Sequence, residues 1–266
     1  MAHTRMYSFD KTLSDGRVVS VCIPRMPHLR ANITYRCDRG CPNCNRACGV
    51  AKSSTAEDMA VSDFQQALKD IAEAGTKLTK IILTGGEPSL HPDLVSFADA
   101  AMSYKKDHSP DCNVWIATYR HPKYFHRVEE ALQRHKQLAV QGDPKTKPRI
   151  HNYATYLAPI DDPLSDPRHF YRGCHLNASL CGMTVDYHGF WCCPVAPAIA
   201  RVFGLDLAVK SYKSVSIETL TAQYDQACRY CGYYKSCKVK RSGEPMSKSW
   251  IEAVKAYSRK QLGHCK

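Results

Sequence analysis

Apolar positions along the chain follow two alternating rhythms. The first is short and unbroken. Residues 80–84 (KIILT), 113–118 (NVWIAT) and 137–140 read as buried strands, and residues 31–36 (ANITYR) add a fourth rich in β-branched and aromatic side chains. The second has a helical period. Phe64, Ala67, Leu68 and Ile71 stand at i, i+3, i+4 and i+7, and Leu94, Phe97, Ala98, Ala101 and Met102 repeat the spacing. Helices are therefore predicted from about Ser62, over 93–104 and over 124–136. Ser62 with Gln65 makes a capping box at the first of these, and Gly75 supplies its C-terminal stop. A Pro- and Lys-rich loop at 143–148 then leads into a fifth predicted strand over 150–157.

Strand and helix alternating at this spacing imply parallel β/α units wound with one hand. Roughly five units fit before residue 170, whereas a closed eight-unit barrel needs roughly 250 residues, so the α/β fold expected is a partial (β/α) barrel. Before it, residues 1–30 hold an alternating stretch from Val18 to Ile23 that ends at Pro24 and Pro27, a hairpin or cap. After Cys174 the character changes. Residues 181–193 read as two short strands about a His188-Gly189 turn, 215–227 as a helix and 228–237 as a Cys-rich loop. The predicted organisation is an N-terminal hairpin (1–30), a partial barrel (31–173) and a small metal-stapled, Cys-rich extension (174–266).

Composition narrows the chemistry. The chain has 266 residues, 44% of them hydrophobic, with no apolar run near the ~20 residues that span a bilayer. The N-terminus has neither an apolar stretch nor a small-residue cleavage site of a secretory signal, so a cytoplasmic protein without a membrane partner is expected. In that reducing compartment clustered thiols point to metal or redox chemistry rather than disulfides. Most of the 14 cysteines fall in clumps at 37–48, 174–193 and 228–237; Cys22 and Cys112 stand apart and read as core residues. The formal charge is +12, and residues 208–266 carry 12 Lys and Arg against 4 Asp and Glu. Such a balance can attract nucleic acid, acidic lipid or an anionic substrate. With no nucleic-acid-binding motif beside it, the charge reads as a solvated C-terminal helix and tail. Most of the 12 histidines, among them His121, His126 and His135, read as surface or loop residues.

Cys37-Asp-Arg-Gly-Cys41-Pro-Asn-Cys44 places three thiols on a tight loop at the end of a predicted strand. Thiolates suit iron–sulfur clusters and zinc; three of them on a cubane leave one iron open, and an open position is where chemistry occurs. Gly40 is expected to let the loop turn back and Pro42 to stiffen it. Cys48 offers a fourth thiol, which keeps zinc open on this motif alone. Thr84-Gly85-Gly86-Glu87-Pro88 ends the next strand on the same rim. Its glycines let a ligand approach the backbone, Glu87 offers a carboxylate to an ammonium group, and Pro88 fixes the exit.

The two motifs together resemble the radical S-adenosylmethionine (SAM) superfamily. The resemblance implies that Cys37, Cys41 and Cys44 bind a [4Fe–4S] cluster and that Gly85, Gly86, Glu87 and Pro88 form the SAM-binding segment, Glu87 meeting the methionine amino group. Where the family often has an aromatic residue before the third cysteine, this chain has Asn43. The resemblance also implies reductive cleavage of SAM to a 5′-deoxyadenosyl radical that abstracts hydrogen from substrate, with a flavodoxin or ferredoxin as reductant.

Cys174, Cys181, Cys192, Cys193 and Cys228-x-x-Cys231-x5-Cys237 resemble the SPASM and twitch auxiliary-cluster regions of that superfamily, although the last SPASM cysteine has no counterpart in Lys-Val-Lys-Arg at 238–241. At least one auxiliary [4Fe–4S] cluster is implied, with Cys174, Cys192 or Cys193, Cys228 and Cys231 as its core ligands. Cys181, Cys237 and Cys265 complete it or hold a second; structural zinc is the alternative. One of the adjacent pair, Cys193, is a candidate free thiol that donates hydrogen to a product radical. His151, Tyr153, Tyr156, Asp161, Asp162, Asp186, Tyr187 and His188 are further candidates to meet substrate. The expected function is oxidation or epimerisation of a small polar metabolite. The alternatives are modification of a ribosomally made peptide and, from another class, a zinc-stabilised nucleic-acid-binding module.

Overall fold

The computed structural model describes residues 7–12, 18–23, 28–142, 155–165, 182–234 and 246–263. Strands β1 (Tyr7–Thr12) and β2 (Val18–Ile23) pair antiparallel, the hairpin expected at the N-terminus. Strands β3 (His28–Thr34), β4 (Lys80–Gly85), β5 (Asn113–Ala117) and β6 (Ala139–Gln141) follow, each parallel to the next. Helices α1 (Val61–Glu73), α2 (Leu94–His108) and α3 (His126–Arg134) link them. The apolar stripes read from the sequence face inward: Phe64, Ile71, Phe97, Ala101 and Val128 pack with Leu83 and Ile116 of the sheet. The parallel partial barrel is thus observed. Because each strand of such a sheet feeds a helix on its outer face, its central strands carry near-continuous apolar runs.

Three local expectations change. Helix α1 starts at Val61, with Ala60 extended at its N-cap and no side-chain cap bond, so Ser62 lies inside the helix and forms no capping box. The chain is delivered there from β3's side, where Met59 N donates to Ile33 O at 2.9 Å, and that tether sets the start. Gly75 does stop the helix, at φ +69. Of the fifth predicted strand, 150–154 lie outside the described residues and Thr155 and Tyr156 form a turn.

The third change concerns β7 (Met183–Asp186) and β8 (Gly189–Trp191), the hairpin read as part of the C-terminal extension. β7 pairs parallel with β3, Leu29 to Met183 and Ala31 to Val185, so the sheet order is β6-β5-β4-β3-β7-β8. Buried Val185 and Phe190 join the main core, which is what holds the hairpin there.

Helices α4 (Ala196–Phe203), α5 (Ile217–Ala227) and α6 (Lys248–Gly263) form a second core with the segment after β3. Tyr35, Ala47, Cys48, Trp191, Ile199, Tyr224 and Trp250 meet in it. Helix α6 turns Trp250 (0% exposed) and Tyr257 (6%) into this core, while its charged residues Lys248, Glu252, Lys255, Arg259 and Lys260 are exposed, the solvated helix read from the charge. Cys112 is fully buried, as read; the side chain of Cys22 lies outside the described residues.

Candidate functional site

The site is assembled from the C-terminal ends of β3, β4 and β5. Backbone pairing continues past the strands: Gly86 N donates to Thr34 O at 2.7 Å, and Glu87 N to Arg36 O at 2.9 Å. This zips 34–36 to 85–87 and sets Glu87 beside Cys37. Both glycines are required by that closeness. Gly85 sits at φ +128, and a Cβ at Gly85 or Gly86 would collide with the carbonyl oxygen of Thr34 or Arg36. One task of theirs is to let two backbones meet. Glu87 is fully buried. Its Oε1 accepts from Ser89 N (3.1 Å) and Thr118 Oγ1 (2.5 Å), and its Oε2 accepts from Tyr119 N (2.9 Å). A carboxylate has about four acceptor directions, so one remains, on Oε2. Pro88 opens the 3-10 turn Pro88–Leu90 that Glu87 caps.

The cysteine loop follows β3 directly. Cys37, Cys41 and Cys44 are half-buried and Cys48 is buried. Gly40 does not make the turn: a Cβ there would meet nothing within 4 Å, and the left-handed residues are Asn43 (φ 52) and Ala47 (φ 55). Asparagine adopts that conformation readily and alanine does not, so the loop is held from outside. Thr155 Oγ1 donates to Asn43 O (2.7 Å) and Tyr156 Oη to Cys44 O (3.0 Å). Arg201 donates to Arg46 O (3.3 Å) and Ala51 O (3.1 Å), while Arg46 Nε donates to Asn32 Oδ1 (2.9 Å). Burial pushes the Cys37 thiol up to about 12, whereas a hydrogen bond from Cys48 brings Cys44 down to about 6. Among the described residues no three His, Cys, Asp or Glu side chains converge on a point suited to one metal ion. Cys48 is buried and hydrogen-bonds to Cys44. Three soft thiols spread along one tight loop, next to a buried carboxylate with one free acceptor direction, fit a cubane cluster with an open iron.

Residues after β5 complete the rim. Tyr119 Oη donates to Asp38 Oδ1, His121 Nε2 lies 2.9 Å from Asp38 Oδ2, and the Arg39 guanidinium stands 4.6 Å over the Tyr119 ring. Burial pushes Asp38 up, but Tyr119 and His121 outweigh it and hold the carboxyl below its ordinary range. Burial, reinforced by Asp38, pushes the Tyr119 phenol well up. His121 is a loop residue, as read, with its side chain only 12% exposed. His126 is exposed as expected, and His135 pairs with Asp99 at 2.6 Å. Thr118, Tyr119 and His121 were missed because no motif marks them. Their signal was position: they directly follow a strand whose C-terminal end faces the site.

The C-terminal cysteines that are described come together. Cys192, Cys193, Cys228 and Cys231 line one small apolar cavity with Ile199 and Tyr224. Cys192 donates a hydrogen bond to Cys193, which also accepts from Ala196 N at 3.4 Å, and the thiol falls to about 7. Four soft sulfur donors on one apolar cavity fit an iron–sulfur group. Cys174, Cys181, Cys237 and Cys265 lie outside the described residues, as do His151 and Tyr153. Other candidates have structural partners: Tyr156 holds the cysteine loop, Asp161 caps α6 through Ser249 N (2.9 Å), and Asp162 accepts from Leu164 N (3.0 Å). Asp186 accepts from Tyr35, His188 N and Trp191, and Tyr187 Oη donates to Glu57 (3.3 Å).

A parallel β/α partial barrel with a three-cysteine loop and a glycine-glycine-glutamate segment on adjoining strand ends defines a class of cluster-dependent enzymes. The model for the Radical SAM superfamily matches residues 31–158, the barrel and its cysteine loop. Residues 31–158 are thus a radical SAM domain, of a superfamily that uses a [4Fe–4S] cluster and SAM. That identity replaces the zinc-stabilised nucleic-acid-binding alternative. Among curated relatives, the PqqA peptide cyclase of Rhizobium meliloti (strain 1021) is 27% identical over 140 residues, covering 52% of this chain and 35% of that enzyme. The PqqA peptide cyclase of Ruegeria pomeroyi (strain ATCC 700808 / DSM 15171 / DSS-3) is 30% identical over 88 residues, 33% of this chain and 22% of that enzyme. The chain thus spans about a fifth to a third of the length of these relatives. Among solved structures, BtrN in an open conformation aligns with 86% of this chain and 98% of its own at a TM-score of 0.40 and 12% identity. Streptococcus suis SuiB bound to SAM aligns with 45% of this chain and 25% of its own at 0.35 and 17%. No helix among the described residues is long and apolar enough to cross a membrane.

Proposed function

We propose that this chain modifies a peptide by radical SAM chemistry. The carrying observation is the pairing of 34–36 with 85–87, which sets the cysteine loop against the buried Glu87. A [4Fe–4S] cluster on Cys37, Cys41 and Cys44, together with SAM, supplies reductive cleavage to a 5′-deoxyadenosyl radical that abstracts hydrogen from an unactivated carbon. The chain's own residues bind and orient. Glu87 keeps one acceptor direction for an ammonium group, with Gly85, Gly86 and Pro88 fixing its backbone. Cys193, Cys228 and Cys231 form the nucleus of an auxiliary [4Fe–4S] site, completed by one cysteine from the remaining set. Cys193 serves there as a ligand in preference to a hydrogen donor, because its sulfur lies in the same cavity as Cys228 and Cys231. A peptide is preferred to the small polar metabolite because both curated relatives are named for a peptide substrate. A flavodoxin or ferredoxin is the proposed reductant.

The test is anaerobic reconstitution with iron and sulfide, then incubation with SAM and dithionite. Deoxyadenosine and methionine are expected from the wild type, and Cys41→Ala should abolish both while leaving auxiliary iron bound. Wild-type protein that holds iron and never yields deoxyadenosine would sink this reading.

A further inference from the structure

Between the first two motif cysteines lie Asp38, Arg39 and Gly40, which no cluster needs as ligands. Asp38 is nonetheless gripped twice. Tyr119 Oη donates to Oδ1, and His121 Nε2 lies 2.9 Å from Oδ2. Arg39 adds a third contact to the same loop by stacking 4.6 Å over the Tyr119 ring. The residue making these contacts also reaches the other motif through its backbone: Tyr119 N donates to Glu87 Oε2 at 2.9 Å, and its neighbour Thr118 donates to Oε1 at 2.5 Å. One short segment, Thr118 to His121, therefore touches both the cysteine loop and the carboxylate. Arg120 sits in the left-handed region at φ 60, which turns Tyr119 and His121 toward the same carboxyl; Arg120 N donates to Thr118 Oγ1 at 2.9 Å to hold that turn.

We propose that Tyr119 and His121 are positioning residues that clamp Asp38 and thereby fix the Cys37–Cys41 half of the loop at one distance from Glu87. The inference rests on the cofactor assignment above and deepens it. SAM that chelates an iron on one side and offers its ammonium to Glu87 on the other has two attachment points on two different loops. Backbone bonds fix their roots, at Arg36 and Glu87. Nothing in those bonds restrains the loop beyond Cys37, and the Asp38 clamp does. Each contact of this kind, one step removed from a bound group, is worth about 10-fold in affinity or more when lost.

Tyr119→Phe removes only the phenol oxygen and keeps the amide bond to Glu87. His121→Ala removes the second contact, and His121→Gln restores a donor of similar reach. The reconstituted full chain is compared for iron content, for SAM dissociation constant and for the change that SAM makes in the electron paramagnetic resonance spectrum of the reduced cluster. Tyr119→Phe and His121→Ala are expected to keep wild-type iron, weaken SAM about 10-fold each and reduce the SAM-induced spectral change, with His121→Gln recovering most of it. Wild-type SAM affinity and spectra in both variants would overturn the clamp, as would iron loss in both, which marks a purely structural role. A wild-type cluster whose spectrum ignores SAM would instead refute the cofactor assignment itself.

Discussion

At the scale of single residues, the most committed side chain is Arg201. Its guanidinium is 1% exposed, donates to Glu57 Oε2 (3.1 Å), Arg46 O and Ala51 O, shares Nη1 with Tyr257 Oη (2.6 Å) and stands 4.6 Å over the Tyr35 ring. Glu57 is equally enclosed, accepting from Tyr257 at 2.7 Å as well. Charges this deeply buried are costly unless paired, and removing one partner strands the other. Arg201→Ala is expected to lower stability by about 3–5 kcal/mol in urea unfolding. The double change Arg201→Met with Glu57→Gln should cost less than Arg201→Ala alone, since neither buried charge is then left behind. A double variant weaker than the single one would show that the carbonyl contacts to the cysteine loop, and not the ion pair, dominate.

At the scale of elements, the start of α2 carries a pH response. His91 is 3% exposed; its Nε2 faces Met59 O at 3.1 Å and its Nδ1 accepts from Asp93 N at 3.1 Å. That pair of partners demands the neutral ring, and protonation would set two donors against each other beside a helix N-terminus. Burial lowers the His91 pKa below 6.5; Asp58, Met59 O and Asp93 oppose the shift and Arg36 adds to it. A depressed histidine leaves stability complete above the unfolded value and erodes it as pH falls below 6.5 toward the folded one, because the unfolded chain takes the proton first. Stability measured from pH 7.5 down to 5 should fall, and His91→Asn should flatten that slope. A slope unchanged by the substitution would place the titration elsewhere. The elements themselves were largely legible, because α1, α2 and β4 carry strong local periods and Gly75 a local stop. The pairing of β7 with β3 was not, since that contact joins Ala31 to Val185 and no local pattern encodes it. The same distance explains the site: the cysteines and Glu87 announce themselves by motif, whereas Tyr119 and His121 acquire their role only when β5 is laid beside β4.

At the scale of the whole molecule, the cysteine loop belongs to the first half of the sequence but is supported by the second. Thr155 and Tyr156 hold Asn43 and Cys44, Arg201 holds Arg46 and Ala51, and Tyr257 Oη lies 3.2 Å from Lys52 O. Behind these stands Trp250, fully buried, with its ring 4.9 Å from that of Tyr156 and 5.0 Å from that of Phe203, and its Nε1 donating to Tyr230 O at 2.8 Å. Trp250 makes none of these contacts with the loop, yet it backs Tyr156 and, through Phe203, the helix that carries Arg201. Trp250→Ala should therefore act at a distance as well as locally. The local loss is about 3–5 kcal/mol, from lost transfer energy and the cavity left behind. The distant effect is release of the left-handed turns at Asn43 and Ala47, which a loop left to itself would relax. Hydrogen exchange reads this directly, because the amides of Ala47 and Ala51 are bonded within the loop, to Cys44 O and Ala47 O at 2.8 Å each. Those amides should exchange faster in Trp250→Ala under native conditions, while those of β4 and β5, in the other core, stay protected relative to the lowered global stability. Equal acceleration everywhere would mean that the two cores unfold as one unit and that the loop has no local dependence on the C-terminal helices.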